Sequence, residues 1–316
     1  MEPKESQNHT AFIVLNPVAG IVNTPQLRRV IEKRFQILGW DTDFHTTEEN
    51  EDTGQIVANR ITDGVDLVVA TGGDGTIAAV AAGMVGADVP LGIIPTGTWN
   101  AIARHLAIPF NPIRAVNLMT GNHDIRKLDL MLVGETVHAM NIGVGFSAAM
   151  VANTSRTEKR RLGNIAYFST IFKQIFGLEM RRYSIDADGQ HFRGRATEIF
   201  VANYGVVGLK ALENILDIKP DDGKVDVLIM RARTILDLPA MFWQAFILRQ
   251  KRAPKYRQLS AAKNLVIRTS PAAIVQADGE LVGQTPISVK VLPQSVNVIV
   301  PQPLSWKLDL TITRPG

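Results

Sequence analysis

Three glycines surround one carboxylate in Gly72-Gly73-Asp74-Gly75-Thr76, which follows an apolar run from Val65 to Ala70. If a strand ends here and a helix begins, backbone N–H groups converge at the helix N-terminus, where they can bind phosphate. An ordinary strand-to-helix turn also uses glycine, because glycine tolerates positive φ. Asp74 favours the phosphate site, since a carboxylate beside phosphates needs a metal ion or another positive group.

Two more polar loops follow apolar runs. The first is Asn16-Pro17-Val18-Ala19-Gly20, and the second is Pro95-Thr96-Gly97-Thr98-Trp99-Asn100. Alone, the first is compatible with a turn, and in the second Thr98 and Asn100 could simply cap the next helix. Because parallel strands end at the same edge of a sheet, the three loops together predict a nucleotide pocket, with Thr46 and Thr47 as further hydroxyl candidates.

Other chemistries lack their sequence patterns. The strand-to-loop segments contain neither a Walker A loop nor a G-x-G-x-x-G fingerprint. Gly145-Phe146-Ser147-Ala148-Ala149 lacks the closing glycine of a nucleophile elbow, and the six histidines show no zinc-ligand spacing. The absence of cysteine excludes disulfides, a Cys nucleophile and Cys-ligated metals, and favours a cytoplasmic location.

Strand and helix signals alternate in the first third of the chain, which is typical of a parallel sheet covered by helices. The predicted strands are Ala11 to Leu15, Trp40 to Thr46, Val65 to Ala70 and Leu91 to Ile94. Apolar residues at helical spacing, such as Leu27, Ile31 and Phe35, predict the intervening helices. The loops described above therefore lie at strand ends.

From about Asp124 the sequence is rich in short β-type runs joined by glycine turns. We expect a hairpin from Tyr183 to Ala187 and Thr197 to Val201 around Asp188-Gly189, and helical inserts at 164–176 and 236–248. The predicted architecture is a three-layer α/β nucleotide-binding domain over 1–124 and a β-sandwich-like domain with helical inserts over 125–302. Residues 303–316 form a tail that could return to the first domain.

Composition agrees with two packed domains. The chain has 316 residues, of which 46% are hydrophobic and 20% charged. A formal charge of +4 is too small to indicate a nucleic-acid binder, so we expect no nucleic-acid partner. The first ten residues lack the apolar run of a signal peptide, and Ile77 to Ile94 is interrupted by Gly, Asp and Pro. A soluble or peripheral protein is expected.

The motifs resemble a known family. Asn-Pro-x-x-Gly, Gly-Gly-Asp-Gly-Thr, Pro-x-Gly-Thr-x-Asn and Gln276-Ala277-Asp278-Gly279-Glu280 occur in the order and spacing of the soluble diacylglycerol kinase catalytic family. That family includes bacterial lipid kinases, diacylglycerol kinases, sphingosine kinases and ceramide kinases. Gly-Gly-Asp-Gly alone is shared with NAD kinases and, in a similar form, with phosphofructokinases, whereas the late Asp-Gly-Glu and the β-rich half point to the lipid branch.

The resemblance implies an ATP- and Mg²⁺-dependent kinase acting on a lipid alcohol, and it is compatible with a homodimer. ATP would lie on Gly72 to Thr76, beside Thr46 or Thr47 and Thr98. Asp74 would organise the catalytic Mg²⁺, and Glu280 would be the general base for the lipid hydroxyl. Asp129 matches an acidic position of the family near the cleft. The alternative interpretation of Asp129 is a solvated residue of a strand.

A structural Mg²⁺ is also implied, held by the Asp222 carboxylate and the carbonyl oxygens of Lys219 and Lys224. A solvated Asp-Asp-Gly turn is the alternative. The sequence departs from diacylglycerol kinases at Ala101, where they usually have an Asp that joins a magnesium network. Other branches of the family lack this Asp and phosphorylate different lipid alcohols.

Basic residues beside the two helical inserts predict peripheral contact with an anionic membrane. They are Arg156, Lys159, Arg160, Arg161, Arg249, Lys251, Arg252, Lys255 and Arg257. A core-packed helix with a solvated basic loop is the alternative for each insert. The other functions compatible with the sequence are an NAD kinase-like or other small-molecule kinase, and a non-catalytic regulator that binds nucleotide or lipid.

Overall fold

A computed structural model describes residues 9–20, 24–153, 179–204, 217–232, 237 and 252–302. The predicted insert at 164–176, the insert at 236–248 except Asp237, and the tail at 303–316 lie outside these residues. The same holds for most of the predicted membrane-facing residues, namely Arg156, Lys159, Arg160, Arg161, Arg249 and Lys251. In the described part of the chain, no helix combines the length and apolar character needed to cross a membrane.

The first domain is a parallel sheet with helices on both faces, as predicted. Its strands are β1 (His9–Leu15), β2 (Trp40–Thr46), β3 (Leu67–Gly72) and β4 (Leu91–Pro95), in the order β2-β1-β3-β4. Its helices are α1 (Thr24–Ile37), α2 (Thr53–Thr62), α3 (Asp74–Gly83), α4 (Ala101–His105) and α5 (Pro112–Thr120). The three-layer architecture is therefore confirmed.

Alternation along the strands explains the two cores of this domain. In β1, Phe12 and Val14 pack with the buried residues of α2, α3 and α4, whereas Ile13 and Leu15 pack with those of α1 and α5. Successive side chains of a strand point to opposite faces, so a strand covered on both sides must be apolar throughout. The fully buried strand β3 shows the same pattern.

The second domain is an antiparallel β-sandwich, also as predicted. Its elements are β5 (Asp124–Val133), β6 (Thr136–His138), β7 (Asn141–Gly145), α6 (Phe146–Asn153), β8 (Arg181–Ala187), β9 (Gln190–Ala196), β10 (Glu198–Ala202), β11 (Val225–Met230), β12 (Arg252–Ala253), β13 (Tyr256–Ala261), β14 (Asn264–Ser270), β15 (Ile274–Ala277), β16 (Glu280–Gln284) and β17 (Ile287–Val300). One sheet has the order β12-β13-β11-β10-β7-β15-β16. It packs on the β17-β14-β8-β9 part of the other sheet, and the apolar side chains between them form one core.

The long strand β17 joins the two domains. Its first residues pair with β14, and Val298 pairs in parallel with Leu91 of β4. The pairing of β17 with β5 shifts register between Leu292 and Val296, where the strand passes from one domain to the other. The parallel sheet and one sheet of the sandwich are therefore continuous through β17.

The predicted hairpin of Tyr183 to Ala187 with Thr197 to Val201 is wrong. The partner of β8 is β9, directly after the Asp188-Gly189 turn. The segment at Thr197 to Val201 belongs to β10 in the opposite sheet, where it pairs with β7 and β11. The prediction took the more apolar run as the partner, but β9 is an edge strand and exposes alternate residues, including Arg193 and Arg195.

Candidate functional site

The three predicted loops lie side by side at the carboxyl edge of the parallel sheet, held together by backbone hydrogen bonds. Asn16 N–H donates to the Thr71 carbonyl at 3.0 Å, and Thr96 N–H donates to the Gly72 carbonyl at 2.9 Å. Thr47 N–H donates to the Leu15 carbonyl at 2.9 Å, which brings the end of β2 to the same edge. The strand order thus brings these loops together as the sequence predicts.

Glycine allows two close approaches between the loops. A Cβ at Gly97 would lie 2.6 Å from the Cα of Gly73, and one at Gly20 would lie 2.0 Å from the Thr96 carbonyl oxygen. Gly20 also has φ +73°, a conformation that favours glycine. A methyl group at either position would push the loops apart, so these glycines set the distance between the strand ends.

The N-terminus of α3 is open. Its N-cap residue is Gly73, which has no side chain to bond the first N–H groups, and the first intrahelical bond joins Ile77 N–H to the Gly73 carbonyl at 3.0 Å. Gly75 is exposed, and no atom of the described residues lies within 4 Å of a Cβ built there. The N–H groups of Gly75 and Thr76 therefore point out of the positive end of the helix, where an anion can bind.

The Thr76 hydroxyl has a structural role. Its Oγ1 accepts a hydrogen bond from Asn16 Nδ2 at 2.9 Å, and the side chain is only 8% exposed. A Cβ at Gly72 would lie 2.4 Å from this oxygen, so Gly72 makes room for it. The hydroxyl joins the Asn16–Gly20 loop to the glycine-rich loop. The part of Thr76 that stays open to a ligand is its backbone N–H.

Asp74 connects two helix N-termini. Its Oδ1 accepts a hydrogen bond from Ile102 N–H, in the first turn of α4, at 3.0 Å. The residue is half-buried, and Oδ2 makes no hydrogen bond to the described residues. One oxygen is thus fixed by the fold, and the other can bind a cation, such as Mg²⁺ coordinated by nucleotide phosphates.

The remaining predicted nucleotide contacts differ in exposure. Thr46, Thr98 and Pro17 are exposed at the loop edge, whereas Asn100 is 2% exposed. Asn100 has φ +46° and is the N-cap residue of α4, but its side chain makes no capping bond; its amide group instead bonds the N–H and carbonyl of Gly97 at 2.9 and 2.6 Å. These two bonds hold the Pro95–Asn100 loop in its conformation.

Glu280 stands directly after a tightly fixed hairpin turn. Asp278 and Gly279 both have positive φ, which is typical of the two-residue turn between β15 and β16. The Asp278 carboxylate accepts hydrogen bonds from the N–H groups of Ala139, Met140 and Asn141 at 2.8–2.9 Å. Glu280 itself is exposed, so the turn fixes the backbone position of a carboxylate that solvent and substrate can reach.

Tyr204 is a buried phenol beside α4. It is 4% exposed, and its ring packs edge-on against His105 of α4 at 5.5 Å between centroids. Burial, together with the negative charges of Asp278, Asp129, Asp74 and Asp221, raises the pKa of the Tyr204 hydroxyl. The glycine-rich loop and the Asp278 turn therefore both act electrostatically on one buried phenol.

His138, at the end of β6, also faces this region. Its Nδ1 lies 3.8 Å from Asp278 Oδ2, and the residue is 7% exposed. Burial lowers the pKa of His138, opposed by the negative charges of Asp278 and Glu280. Sequence reasoning singled out neither His138 nor Tyr204, because each stands outside the recognised motifs.

Asp129 is fully buried rather than a solvated strand residue. Its two carboxylate oxygens accept hydrogen bonds from Gln294 N–H at 2.7 Å and Gly223 N–H at 2.8 Å. Burial raises its pKa, an effect opposed by these two bonds and increased by Asp222 and Asp221. In this structure Asp129 joins the 217–224 loop to the irregular part of β17, so both oxygens already have structural partners.

Charges in the 217–224 loop are paired within the protein. Asp222 Oδ2 lies 3.3 Å from the Lys224 ammonium, Lys219 pairs with Asp217 at 2.9 Å, and Asp221 pairs with Arg126 at 3.0 Å. Among the described residues no group of three or more His, Asp or Glu could hold a metal ion. The Mg²⁺ site predicted at Lys219, Asp222 and Lys224 would depend mainly on backbone carbonyls and stays a prediction.

Comparison with known families decides what kind of protein carries this geometry. The profile of the diacylglycerol kinase catalytic domain matches residues 10–133, and that of the YegS C-terminal NAD kinase beta sandwich-like domain matches residues 140–300. This chain belongs to the diacylglycerol kinase catalytic-domain family. The glycine-rich loop of this chain lies in the region matched by the catalytic-domain profile, and the Asp278-Gly279-Glu280 turn lies in the region matched by the sandwich-domain profile.

Similar proteins cover almost the whole chain. A protein of Staphylococcus carnosus named "Putative lipid kinase" is 25% identical over 299 residues, covering 92% of this chain and 96% of its own. An uncharacterized protein of Synechocystis sp. is 29% identical over 306 residues, covering 92% of this chain and 70% of its own. The crystal structure of a "putative diacylglycerol kinase" from Bacillus anthracis aligns over 94% of this chain and 98% of its own, with a TM-score of 0.74 and 24% identity. That likeness shows the shared fold.

Proposed function

We propose that this protein is an ATP- and Mg²⁺-dependent kinase that transfers the γ-phosphoryl group of ATP to the hydroxyl group of a lipid alcohol. The observation that carries the proposal is the open N-terminus of α3 at the carboxyl edge of the sheet, beside Asp74, whose Oδ2 makes no hydrogen bond to the described residues. In the proposal, the N-terminus of α3 would bind the phosphates of ATP, and Glu280 would be the carboxylate base. The staphylococcal relative is named a lipid kinase and the Bacillus neighbour a diacylglycerol kinase, and these names support a lipid acceptor.

Phosphoryl transfer requires the protein mainly to position and neutralise charged groups. The N–H groups of Gly75 and Thr76, at the open end of α3, would bind phosphate oxygens of ATP. Asp74 Oδ2 would bind Mg²⁺, while Oδ1 stays bonded to Ile102 N–H. When bound, Mg²⁺ would neutralise negative charge on the β- and γ-phosphates. The residues fit this ion, because Mg²⁺ in nucleotide sites uses one or two carboxylates together with phosphates and water.

Glu280 would act as the general base. As the lipid hydroxyl oxygen attacks the γ-phosphorus, its proton would pass to the Glu280 carboxylate, and ADP would leave. Asp278 supports this role by fixing the turn through three backbone N–H groups. The acceptor must reach an exposed carboxylate, which suits a hydroxyl presented from a larger lipid assembly.

A lipid acceptor also implies contact with a membrane surface, and we include peripheral binding to anionic membranes in the proposal. Two residues of the predicted basic cluster are described, Lys255 and Arg257, which flank the first residue of β13 and are partly exposed. In the first domain, Trp99 is an exposed aromatic residue. Aromatic and basic side chains are the groups that favour an anionic interface.

Direct product analysis tests the proposal. Purified protein is incubated with labelled ATP, Mg²⁺ and lipid alcohols that include diacylglycerol, monoacylglycerol, sphingosine and ceramide, and the extracted lipids are analysed by mass spectrometry. Label in a phosphorylated lipid supports the proposal. Because the sandwich profile is described as NAD kinase-like, NAD is included as a water-soluble acceptor, and label found only in NADP would identify the alternative small-molecule kinase.

A further inference from the structure

A basic cavity of about 720 Å³ lies in the second domain, away from the three loops and the Asp278 turn. The charged residues among its described lining are Arg193, Arg195, Arg231, Lys255 and Asp237. Arg193 and Arg195 belong to β9, an edge strand of one sheet, and Lys255 lies between β12 and β13 at an edge of the other. The cavity therefore opens where the two sheet edges of the sandwich face each other.

Among the described residues that line this cavity, positive charge exceeds negative charge. Lys255 pairs with Asp237, whereas Arg193, Arg195 and Arg231 form no ion pair with any residue that the structure describes. Arg231 Nε is buried and has no hydrogen-bond acceptor within the same described ranges. A buried N–H group without an acceptor is costly, and like charges repel one another, so a bound anion would relieve both costs.

Phe192 fixes two guanidinium groups beside the cavity. Its ring centroid lies 5.1 Å from Cζ of Arg231 and 5.2 Å from Cζ of Arg257. Gly194 lies next to them, and a Cβ there would be 3.2 Å from the Phe192 ring and 3.7 Å from a terminal nitrogen of Arg231. Stacking on an aromatic ring reduces the freedom of a guanidinium group, so less entropy is lost when it binds an anion.

The outer face of the neighbouring sheet extends the positive charge. Arg195 lies directly opposite Arg182 of β8, and Ser184 of β8 lies between Arg193 of β9 and Arg268 of β14. All four arginines are exposed. Like charges directly opposite each other destabilise a sheet, so the pairing of Arg195 with Arg182 is unfavourable unless an anionic partner compensates it.

We propose that this cavity binds the phosphate group of an anionic ligand, through Arg193, Arg195 and Arg231. Guanidinium groups match phosphate oxygens with paired hydrogen bonds. The ligand could be the headgroup of an acidic phospholipid, which the basic sheet face would also attract, or a free phosphate. The cavity shares no residue with the three loops or the Asp278 turn, so its binding can be tested without changing a residue of the proposed phosphoryl transfer; it shares Lys255 with the proposed membrane contact.

The test compares the full chain with Arg193→Gln/Arg195→Gln, whose side chains are exposed, and with Arg231→Gln. The matched control is Arg29→Gln/Lys33→Gln, which removes two charges from the exposed face of α1. Inorganic phosphate is titrated by calorimetry at constant ionic strength. Sedimentation with phosphatidylcholine vesicles, with and without phosphatidylglycerol, measures the lipid arm, and thermal melting confirms that each variant is folded.

We expect the cavity variants to bind phosphate at least about 10-fold more weakly, while the control binds as the unmodified chain does. A parallel loss of binding to phosphatidylglycerol vesicles would identify the lipid headgroup as the source, and retained vesicle binding would identify free phosphate; both support the site. Unchanged phosphate affinity in folded cavity variants would overturn it. An equal loss in the control would also overturn it, because net charge would then explain the binding.

Discussion

Asp74 Oδ1 accepts a hydrogen bond from the backbone N–H of Ile102 at 3.0 Å, so one carboxylate joins the first turns of α3 and α4. This bond fixes the orientation of Asp74 relative to two loops of the proposed nucleotide site. Oδ1 therefore stabilises the fold, whereas Oδ2 is the oxygen that would bind Mg²⁺ in the proposed function.

Two substitutions at Asp74 distinguish these functions. Asp74→Asn keeps an acceptor for Ile102 N–H, so we expect the free energy of unfolding to change by less than about 1 kcal/mol. Turnover should fall at least about 100-fold, because the charge that binds Mg²⁺ is lost. Asp74→Ala should lose activity and about 1 kcal/mol of stability as well. Urea unfolding and initial rates over a Mg²⁺ series measure both, and wild-type rates in Asp74→Asn would contradict the metal role.

Replacement of two loop glycines by alanine should have different effects on stability and on ATP binding. Gly97→Ala places a Cβ 2.6 Å from the Cα of Gly73, so we expect it to destabilise the fold by roughly 1–3 kcal/mol. Gly75→Ala meets no described atom within 4 Å, so stability should be retained while ATP binding weakens at least about 10-fold. Thermal melting and ATP titration test the pair. Normal ATP affinity in Gly75→Ala would place the phosphates elsewhere.

Asp278 has a close structural counterpart that serves as its control. Asp188 also precedes a hairpin glycine with positive φ, and its carboxylate accepts the N–H groups of Ala262, Lys263 and Asn264 at 2.5–3.2 Å. Asp278→Asn and Asp188→Asn should each cost about 2 kcal/mol of stability. Only Asp278→Asn should lower kcat, by about 10-fold or more, because it loosens the turn that holds Glu280. Equal kcat values in the two variants would argue against that role.

Much of the site could be predicted from the sequence because it depends on strand ends. The three loops follow strands whose apolar runs are clear, and parallel strands place their carboxyl ends at one edge. Close packing of Gly97 on Gly73, and the closed loop around Asn100, could not be inferred from residue types alone. They depend on the distance between β3 and β4, which is a property of the assembled sheet.

The β-rich half was less predictable, because its strand pairing is non-local. The run at Thr197 to Val201 looked like the partner of β8, but antiparallel register depends on which faces are buried after the sandwich forms. For the same reason the sequence alone is compatible with a solvated Asp129, because its partners Gly223 and Gln294 lie far along the chain. Contacts of this kind leave no periodic signal in the sequence.

A buried carboxylate outside the proposed site should control the pH dependence of stability. Burial raises the pKa of Glu198 to about 7 from its ordinary value of 4.5, although Ser147 and Phe146 donate hydrogen bonds to it. Because the folded pKa is above the unfolded one, its contribution is fully favourable below pH 4.5 and is lost as the pH rises through 7. The loss is about 3 kcal/mol.

Glu198→Gln keeps the acceptor for Ser147 N–H and removes the titration. We therefore expect the unmodified protein to lose stability between pH 5 and pH 8, and the variant to lose much less over the same range. Urea unfolding at several pH values measures the difference. Parallel stability profiles for the two proteins would show that Glu198 does not titrate in this range.

The most direct test of the proposed function is phosphorylation of a lipid alcohol by Glu280→Gln. The control is Glu135→Gln, because Glu135 is also an exposed glutamate that follows a hairpin glycine. Both variants should melt at the temperature of the unmodified protein. We predict that the unmodified protein and Glu135→Gln transfer label from ATP to lipid, and that Glu280→Gln is slower by about 100-fold or more. Wild-type rates in Glu280→Gln, or no lipid product from the unmodified protein with any lipid alcohol tested, would contradict the account.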